Sequence, residues 1–346
     1  MHLNEYGPVP HTEHLPGIPA RVTAQHKERY ALVCEYGEVF ARLKAKDYYW
    51  DRACFPTVGD YVTINYIENG DSQILTTLPR RTCFLRREPG PVPKDQAVAA
   101  NFDLVFILQS LNQNFNPARL ERYLSMAWQS GATPVVVLTK ADLAADCQPY
   151  LTQAERIAVG AEVHAVSART GYGLEGLQPL LQPGKTVVFL GSSGVGKSSL
   201  VNALAGEPLM QVGEIREQDS RGRHTTTHRQ LHRLQSGVLV IDTPGMRELG
   251  MAECPDGLAD AFADVEQYLG RCRFRDCRHT GEPGCAVQAA IASGALDPAR
   301  WERYQKLQAE AALQEQALNS KEVQLRRKQA WKTIAKAQKH RNRETW

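Results

Sequence analysis

The chain has 346 residues, enough for two or three domains with at least one full core, and its 42% hydrophobic and 23% charged residues are ordinary for a globular protein. Its longest apolar runs, such as PVVVL and TVVFL, are as long as buried strands and far short of the roughly 20 residues that cross a bilayer, which excludes a helical membrane protein. Net charge is only +3, but residues 321–346 hold nine Lys/Arg and two Glu, a basic arm of +7 on a body of about −4 that suits contact with a polyanion.

Residues 1–19 are rich in Pro, His and Gly without periodicity and read as a flexible leader. They lack a basic stretch followed by an apolar one, so the expected location is the cytoplasm. From 20 to 95, the short alternating stretches ARVTAQ, RYALVCEY, EVFARL, DYVTINYI and SQILTTL are separated by turn signals. Five strands in so short a span predict a small closed barrel of the oligonucleotide-binding (OB) kind. The proline-rich EPGPVPKD at 88–95 marks a boundary, since each proline removes a backbone donor.

From 96 to 250, apolar strands alternate with amphipathic helices, the pattern of a doubly wound α/β domain. The first loop of interest is TKAD, Thr139 to Asp142, after the strand PVVVL. Asp142 would accept hydrogen bonds from guanine N1–H and the 2-amino group, Lys140 would lay its stem along the base, and Ala141 lies between them. Alone, such a turn is an ordinary helix start. A second loop, VSART at 166–170, would bring Ser167 and the Ala168 N–H near the guanine O6. The third, GSSGVGKSS, follows the strand TVVFL and opens a helix, the context a phosphate loop requires. Its residues are Gly191, Ser192, Ser193, Gly194, Val195, Gly196, Lys197, Ser198 and Ser199. Backbone N–H groups there would face the β-phosphate, with Lys197 on the β/γ oxygens, Ser198 on Mg²⁺ and Ser199 near the α-phosphate. Next, SRGRHTTTHRQ offers Thr225, Thr226 and Thr227 as Mg²⁺ ligands, with Thr226 taken as the representative choice. Finally DTPG ends the strand VLVI, placing Asp242 near Mg²⁺ and the Gly245 N–H near the γ-phosphate. These loops fit GTP/GDP, but the base-reading ones precede the phosphate loop. A circular permutation explains the order, because a crevice depends on where strand ends lie and not on where the termini are.

Beyond 250 the chain reads as mainly helical. Cys272, Cys277, His279 and Cys285 form a compact set suited to one structural Zn²⁺. Cys254 lies near but off pattern, and Cys34, Cys54, Cys83 and Cys147 read as small core residues. A helix is expected from Pro298, capped by Asp297, with Trp301, Tyr304 and Leu307 on one face. Tyr48, Tyr49, Trp50, Arg80, Arg81, Arg86 and Arg87 are candidates for stacking on and pairing with RNA from the barrel, though the aromatics equally suit a core.

The permuted order, GSSGVGKSSL, GRHTTT, DTPGMRELG, the barrel stretches GEVFARL and VGDYV, and Cys-x4-Cys-x-His-x5-Cys together resemble the RsgA (YjeQ/YloQ) family of circularly permuted GTPases over about residues 20–310. The resemblance implies an OB-fold barrel at 20–95, a permuted P-loop GTPase domain at 96–250, a zinc-binding helical domain at 251–320 and a basic tail at 321–346. It further implies slow GTP hydrolysis stimulated by the small ribosomal subunit late in its maturation, with rRNA as partner, no membrane and a monomeric chain. Thr139 stands where GTPases usually have Asn, which predicts modest affinity through loss of an amide tie to the phosphate loop. Met246 stands where Ras-like proteins have a water-orienting Gln, so unaided turnover should be slow. His224 is a candidate for positioning that water, and equally reads as a solvated histidine. An ATP-dependent transferase and an RNA-binding scaffold are the alternatives; Asp142 and the SAR of VSART argue against the first, and turnover separates the second.

Overall fold

The computed structural model describes residues 2–10, 12, 14–26, 29–43, 55–88, 94–112, 114–210, 229–242, 255–313 and 316. Five strands make the barrel: β1 (Ile18–Gln25), β2 (Tyr30–Cys34), β3 (Gly37–Leu43), β4 (Tyr61–Asn65) and β5 (Ser72–Thr77). They pair in the order β1-β2-β3-β5-β4, and β4 closes on β1 through Ile18–Ile64 and Arg21–Tyr61. Only β3 and β5 run parallel. Alternation along these strands sends Ala20, Val22, Leu32, Ala41, Val62, Ile64 and Ile74 inward, all buried, which is why the period-2 pattern was readable.

The expected flexible leader is in part fixed. A short 3-10 turn at Leu3–Tyr6 buries Leu3 and Tyr6, and the Tyr6 carbonyl accepts from Arg21 and from the Tyr61 hydroxyl, the latter at 3.1 Å. Arg21 is fully buried and donates also to the carbonyls of Gly59 (3.2 Å) and Asn101 (2.9 Å) and to Thr186 Oγ1 (3.0 Å). Burial lowers its pKa below the ordinary guanidinium value. One side chain thereby ties leader, barrel and central sheet together.

The segment read as a boundary differs too. β6 (Cys83–Glu88) and β7 (Lys94–Ala100) form a hairpin, with Glu88 opposite Lys94. The three prolines, at 89, 91 and 93, fall in sequence between the two paired strands and outside the described residues. Phe84, Val98 and Ala99 join the core under the next domain, so the hairpin belongs to both neighbours.

The central sheet follows. Its elements are β8 (Leu104–Ser110), α1 (Pro117–Gln129), β9 (Thr133–Thr139), α2 (Gln148–Ile157), β10 (Glu162–Ala165), β11 (Thr186–Gly191), α3 (Lys197–Ala205), β12 (Gln230–Arg233) and β13 (Leu239–Asp242). The order is β10-β9-β8-β11-β13-β12, parallel except for β12. Here β12, which the sequence reading passed over, also pairs antiparallel with β1 at Gln230–Ala24, so barrel and sheet are one hydrogen-bonded surface. Side chains alternate between two cores: Val105 and Ile107 face α1, while Phe106 and Leu108 face α3. Burial on both faces makes these strands continuous apolar runs.

The C-terminal module comprises α4 (Pro255–Ala261), α5 (Ala263–Glu266), α6 (Ala286–Ala292) and α7 (298–313). Asp297 accepts the Ala299 N–H at 3.0 Å, and Trp301, Tyr304 and Leu307 are buried as the helical spacing predicts. The module packs on α1. A Cβ on Gly257 of α4 would collide with the Ser125 carbonyl and with Gln129, so only glycine permits that crossing. Glu121 of α1, with no solvent exposure, accepts from Arg300 at 2.8 Å and from Arg303 at 2.8 and 2.7 Å; Arg300 also reaches Asp264 and lies 4.2 Å over the Phe262 ring.

Candidate nucleotide and metal sites

The three loops at 139–142, 166–170 and 191–196 leave the carboxyl ends of β9, β10 and β11, where open α/β sheets gather their ligands. Gly194 (φ 68°) and Gly196 (φ 102°) hold the left-handed backbone that turns the 191–196 loop before α3 begins at Lys197. Lys197 forms an ion pair with Asp242 at the end of β13. Ser192, Ser198 and Ser199 are half-buried and Ser193 is exposed on this loop.

The 139–142 loop is bonded directly to it. Thr139, buried, donates its hydroxyl to the Val195 carbonyl at 2.5 Å, and Lys140 Nζ donates to the Gly194 carbonyl at 2.6 Å. Lys140 itself adopts φ 57°, a left-handed turn that carries the chain away from β9. The tie that was expected to be lost with Asn is therefore made by the threonine: its hydroxyl sits near enough to reach a phosphate-loop carbonyl that an amide would otherwise meet. That corrects the expectation of a missing link.

The 166–170 loop closes the other side. Ser167 Oγ donates to Asp142 Oδ1 at 2.6 Å, and the Ala141 N–H donates to the Val166 carbonyl at 3.1 Å. Asp142 is exposed beside half-buried Ala168, so its second carboxylate oxygen is free to face a ligand. The residues from Asp142 through Thr139 and Val195 to Lys197 thus run as one bonded path. A purine base at one end and a polyphosphate at the other suit it chemically: one end presents a carboxylate, the other an ammonium and a helix N-terminus.

Sequence reasoning missed Asn114, which follows β8 and donates Nδ2 to Ser192 Oγ at 3.3 Å. No motif flags it. His224, Thr225, Thr226, Thr227, Gly245 and Met246 lie outside the described residues, as do Cys54, Cys254, Tyr48, Tyr49, Trp50 and the tail at 321–346.

Among the RNA candidates, Arg80 is committed elsewhere: it pairs with fully buried Asp60 through Nε and an NH2 nitrogen, both at 2.8 Å, and donates to the Phe55 carbonyl. Burial raises the Asp60 pKa, with Arg80 working against that rise. Arg80 is a structural ion pair, while Arg81 is largely exposed, 3.9 Å from Asp103.

In the C-terminal module, Cys272, Cys277, His279 and Cys285 bring one donor atom each within 4.8 Å of the others. Separations of 3.4 Å (Cys272–His279), 3.9 Å (Cys272–Cys285), 3.7 Å (Cys277–His279) and 3.4 Å (His279–Cys285) match the roughly 3.5–3.8 Å between ligands of a tetrahedral zinc. The N–H groups of Ala286 and Gln288 point at Cys272 and Cys285 sulfurs, each at 3.4 Å, the outer bonds that steady thiolates. Burial opposes ionising Cys272, but the Ala286 amide and the neighbouring thiols outweigh it and its pKa falls. Cys277 is pushed up to about 12 by burial. Four donor atoms this close together can hold one zinc. Cys34 is buried in the barrel as expected of a small core residue; Cys83 and Cys147 are only half-buried.

Among the described residues no helix is long and apolar enough to cross a membrane. The family model described as RsgA GTPase matches residues 77–252. A second, described as ABC transporter, matches 174–342, less than half the chain; among the described residues, what it shares with the first includes the strand, phosphate loop and helix at 186–205. The chain is 46% identical over 318 residues to the small ribosomal subunit biogenesis GTPase RsgA 1 of Listeria innocua, covering 92% of this chain and 90% of the relative. It is 47% identical to the RsgA of Xylella fastidiosa, over 84% and 85% of the two chains. The crystal structure of YjeQ from Thermotoga maritima superposes with a TM-score of 0.63 at 27% identity, covering 85% of this chain and 98% of that one. YloQ, described as a circularly permuted GTPase, gives 0.59 at 24% identity over 88% and 98%, and so speaks for the fold alone. A model spanning half of the chain and relatives nearly half identical along almost all of it meet on the same loops: the chain belongs to the RsgA GTPase family of GTP hydrolases.

Proposed function

We propose that this enzyme binds the small ribosomal subunit and hydrolyses GTP late in that subunit's maturation, acting in the cytoplasm as a monomer. The observation that supports the reading is the bond of Thr139 to Val195, which ties the 139–142 loop, taken here as the guanine reader, to the phosphate loop. The relatives' names supply the small subunit.

In this reading, Asp142 accepts from guanine N1–H and the 2-amino group, held for that task by Ser167, and adenine lacks that pair of donors. Lys140 flanks the base, and the Ala168 N–H meets O6. The loop N–H groups from Gly191 to Gly196 cradle the β-phosphate. Lys197 neutralises β/γ oxygens, for which its ammonium must share or leave Asp242. Mg²⁺, held by Ser198 and Thr226 with Asp242 behind them, would supply charge neutralisation on the phosphate oxygens. Asp242 fits that duty, being buried and close to the loop. Water orientation falls to His224, with Gly245 on the γ-phosphate and Met246 unable to take that role.

The domains are taken as 20–95 for the barrel, 96–250 for the GTPase and 251–320 for the zinc module. Zinc, one per chain and closed to further ligands, would be structural, holding a loop-rich segment with little core of its own. The barrel and the basic tail at 321–346 contact rRNA in this reading, and the nucleotide state passes from DTPGMREL into the zinc module that follows it. The decisive experiment is GTP turnover with purified small subunits, with large subunits and with neither. Stimulation by small subunits alone is expected; equal rates in all three would overturn the ribosomal part of the reading.

A further inference from the structure

We infer that Asn114 is a positioning residue for the phosphate loop, held in register by Arg119; the inference rests on the reading that GTP's phosphates occupy that loop.

Asn114 lies in the connection from β8 to α1, and its amide is pinned from one side. Arg119 NH2 donates to Asn114 Oδ1 at 2.9 Å, to the Asn114 carbonyl and to Gln109 Oε1 at 3.3 Å. Charge-assisted bonds are roughly twice as strong as neutral ones, so the guanidinium decides which way the amide faces: oxygen toward Arg119, nitrogen away. Away from Arg119 the nitrogen meets Ser192 Oγ at 3.3 Å, 78 residues distant in sequence. Taken as acceptor, the Ser192 hydroxyl keeps its own proton free to donate.

Two further observations fit this arrangement. Among the described residues the oxygens that accept from the Arg119 guanidinium are neutral, and its charge polarises the Asn114 amide that faces the loop. The base of the clamp is rigid: Gln109 is fully buried at the end of β8, and Asn116 caps α1 by accepting the Arg119 N–H at 3.0 Å. Val195 and Gly194 are held by Thr139 and Lys140 on one flank of the loop, and Ser192 by Asn114 on another.

The test is nucleotide affinity of the full chain with fluorescent GTP and GDP analogues, alongside steady-state turnover and thermal unfolding. Asn114→Ala should weaken both nucleotides about fivefold, the loss of one net hydrogen bond, and lower kcat/KM alike while kcat at saturation stays within about twofold. Asn114→Asp, which turns a negative charge toward the phosphates, should weaken them further. Asn114→Ala combined with Ser192→Ala should be no worse than the poorer single variant, since both break one contact. A role in folding alone would lower the unfolding midpoint and leave affinity untouched. Wild-type affinity in Asn114→Ala, or additive losses in the double variant, overturns the inference. Failure of the unaltered protein to bind either nucleotide overturns instead the underlying reading, and this inference with it.

Discussion

The Thr139 hydroxyl donates to the Val195 carbonyl at 2.5 Å, joining residues 56 apart in sequence across the mouth of the sheet. Both partners are buried, so the bond is shielded from water. Thr139→Val keeps the volume and leaves the carbonyl without this partner. It should weaken GTP and GDP alike by about 1–2 kcal/mol, roughly 5- to 30-fold, as measured by equilibrium titration. Thr139→Ser should retain most of the affinity.

Asp142 should set base choice. Replacing it with Asn removes the two-fold acceptor and presents an N–H where guanine also presents one. GTP affinity should fall by about two orders of magnitude, while a xanthine nucleotide, which carries a carbonyl at that edge, should gain. Competition titration with GTP, ATP and XTP checks both halves. ATP binding as well as GTP in the unaltered protein would remove Asp142 from base recognition.

Metal removal should act on the C-terminal module first. Elemental analysis is expected to give one zinc per chain, and Cys272→Ser should reduce it sharply. A strong chelator should lower the unfolding midpoint and expose Trp301, whose ring packs edge-on to His279 at 5.5 Å, so its fluorescence reports the loss.

Glu121 anchors that module to α1. Glu121→Ala leaves Arg300, only 4% exposed, with Asp264 as its remaining carboxylate and should cost about 1.5–3 kcal/mol in denaturant unfolding. Arg303→Ala removes a partly exposed partner of the same carboxylate and should cost much less.

Much of this was readable in the chain because it rests on local periods and short spacings. The barrel strands alternate with period 2, the central strands are unbroken apolar runs, and the Cys/His set spans only 14 residues. What escaped depends on contacts between distant segments. Nothing near Asn114 signals Ser192, and nothing near Arg80 signals that Asp60 claims it. The hairpin of β6 and β7 was hidden because three prolines in sequence between its strands signal a break. The leader looked loose because its few apolar residues are buried by distant segments: Tyr6 joins the core that holds Val33 and Val58, and its carbonyl is bonded by Arg21 and Tyr61.

Strand β12 has two neighbours of different kinds, β13 of the catalytic sheet and β1 of the barrel. It begins at Gln230, directly after the stretch that carries His224 and the three threonines, so the barrel is laced by backbone to the exit of that stretch. Under the proposed reading, whatever grips the barrel from outside also pulls on the strand into which those candidate residues run. Shifting the barrel without pulling on that strand would require unpicking its pairing at Ala24 and Gln230.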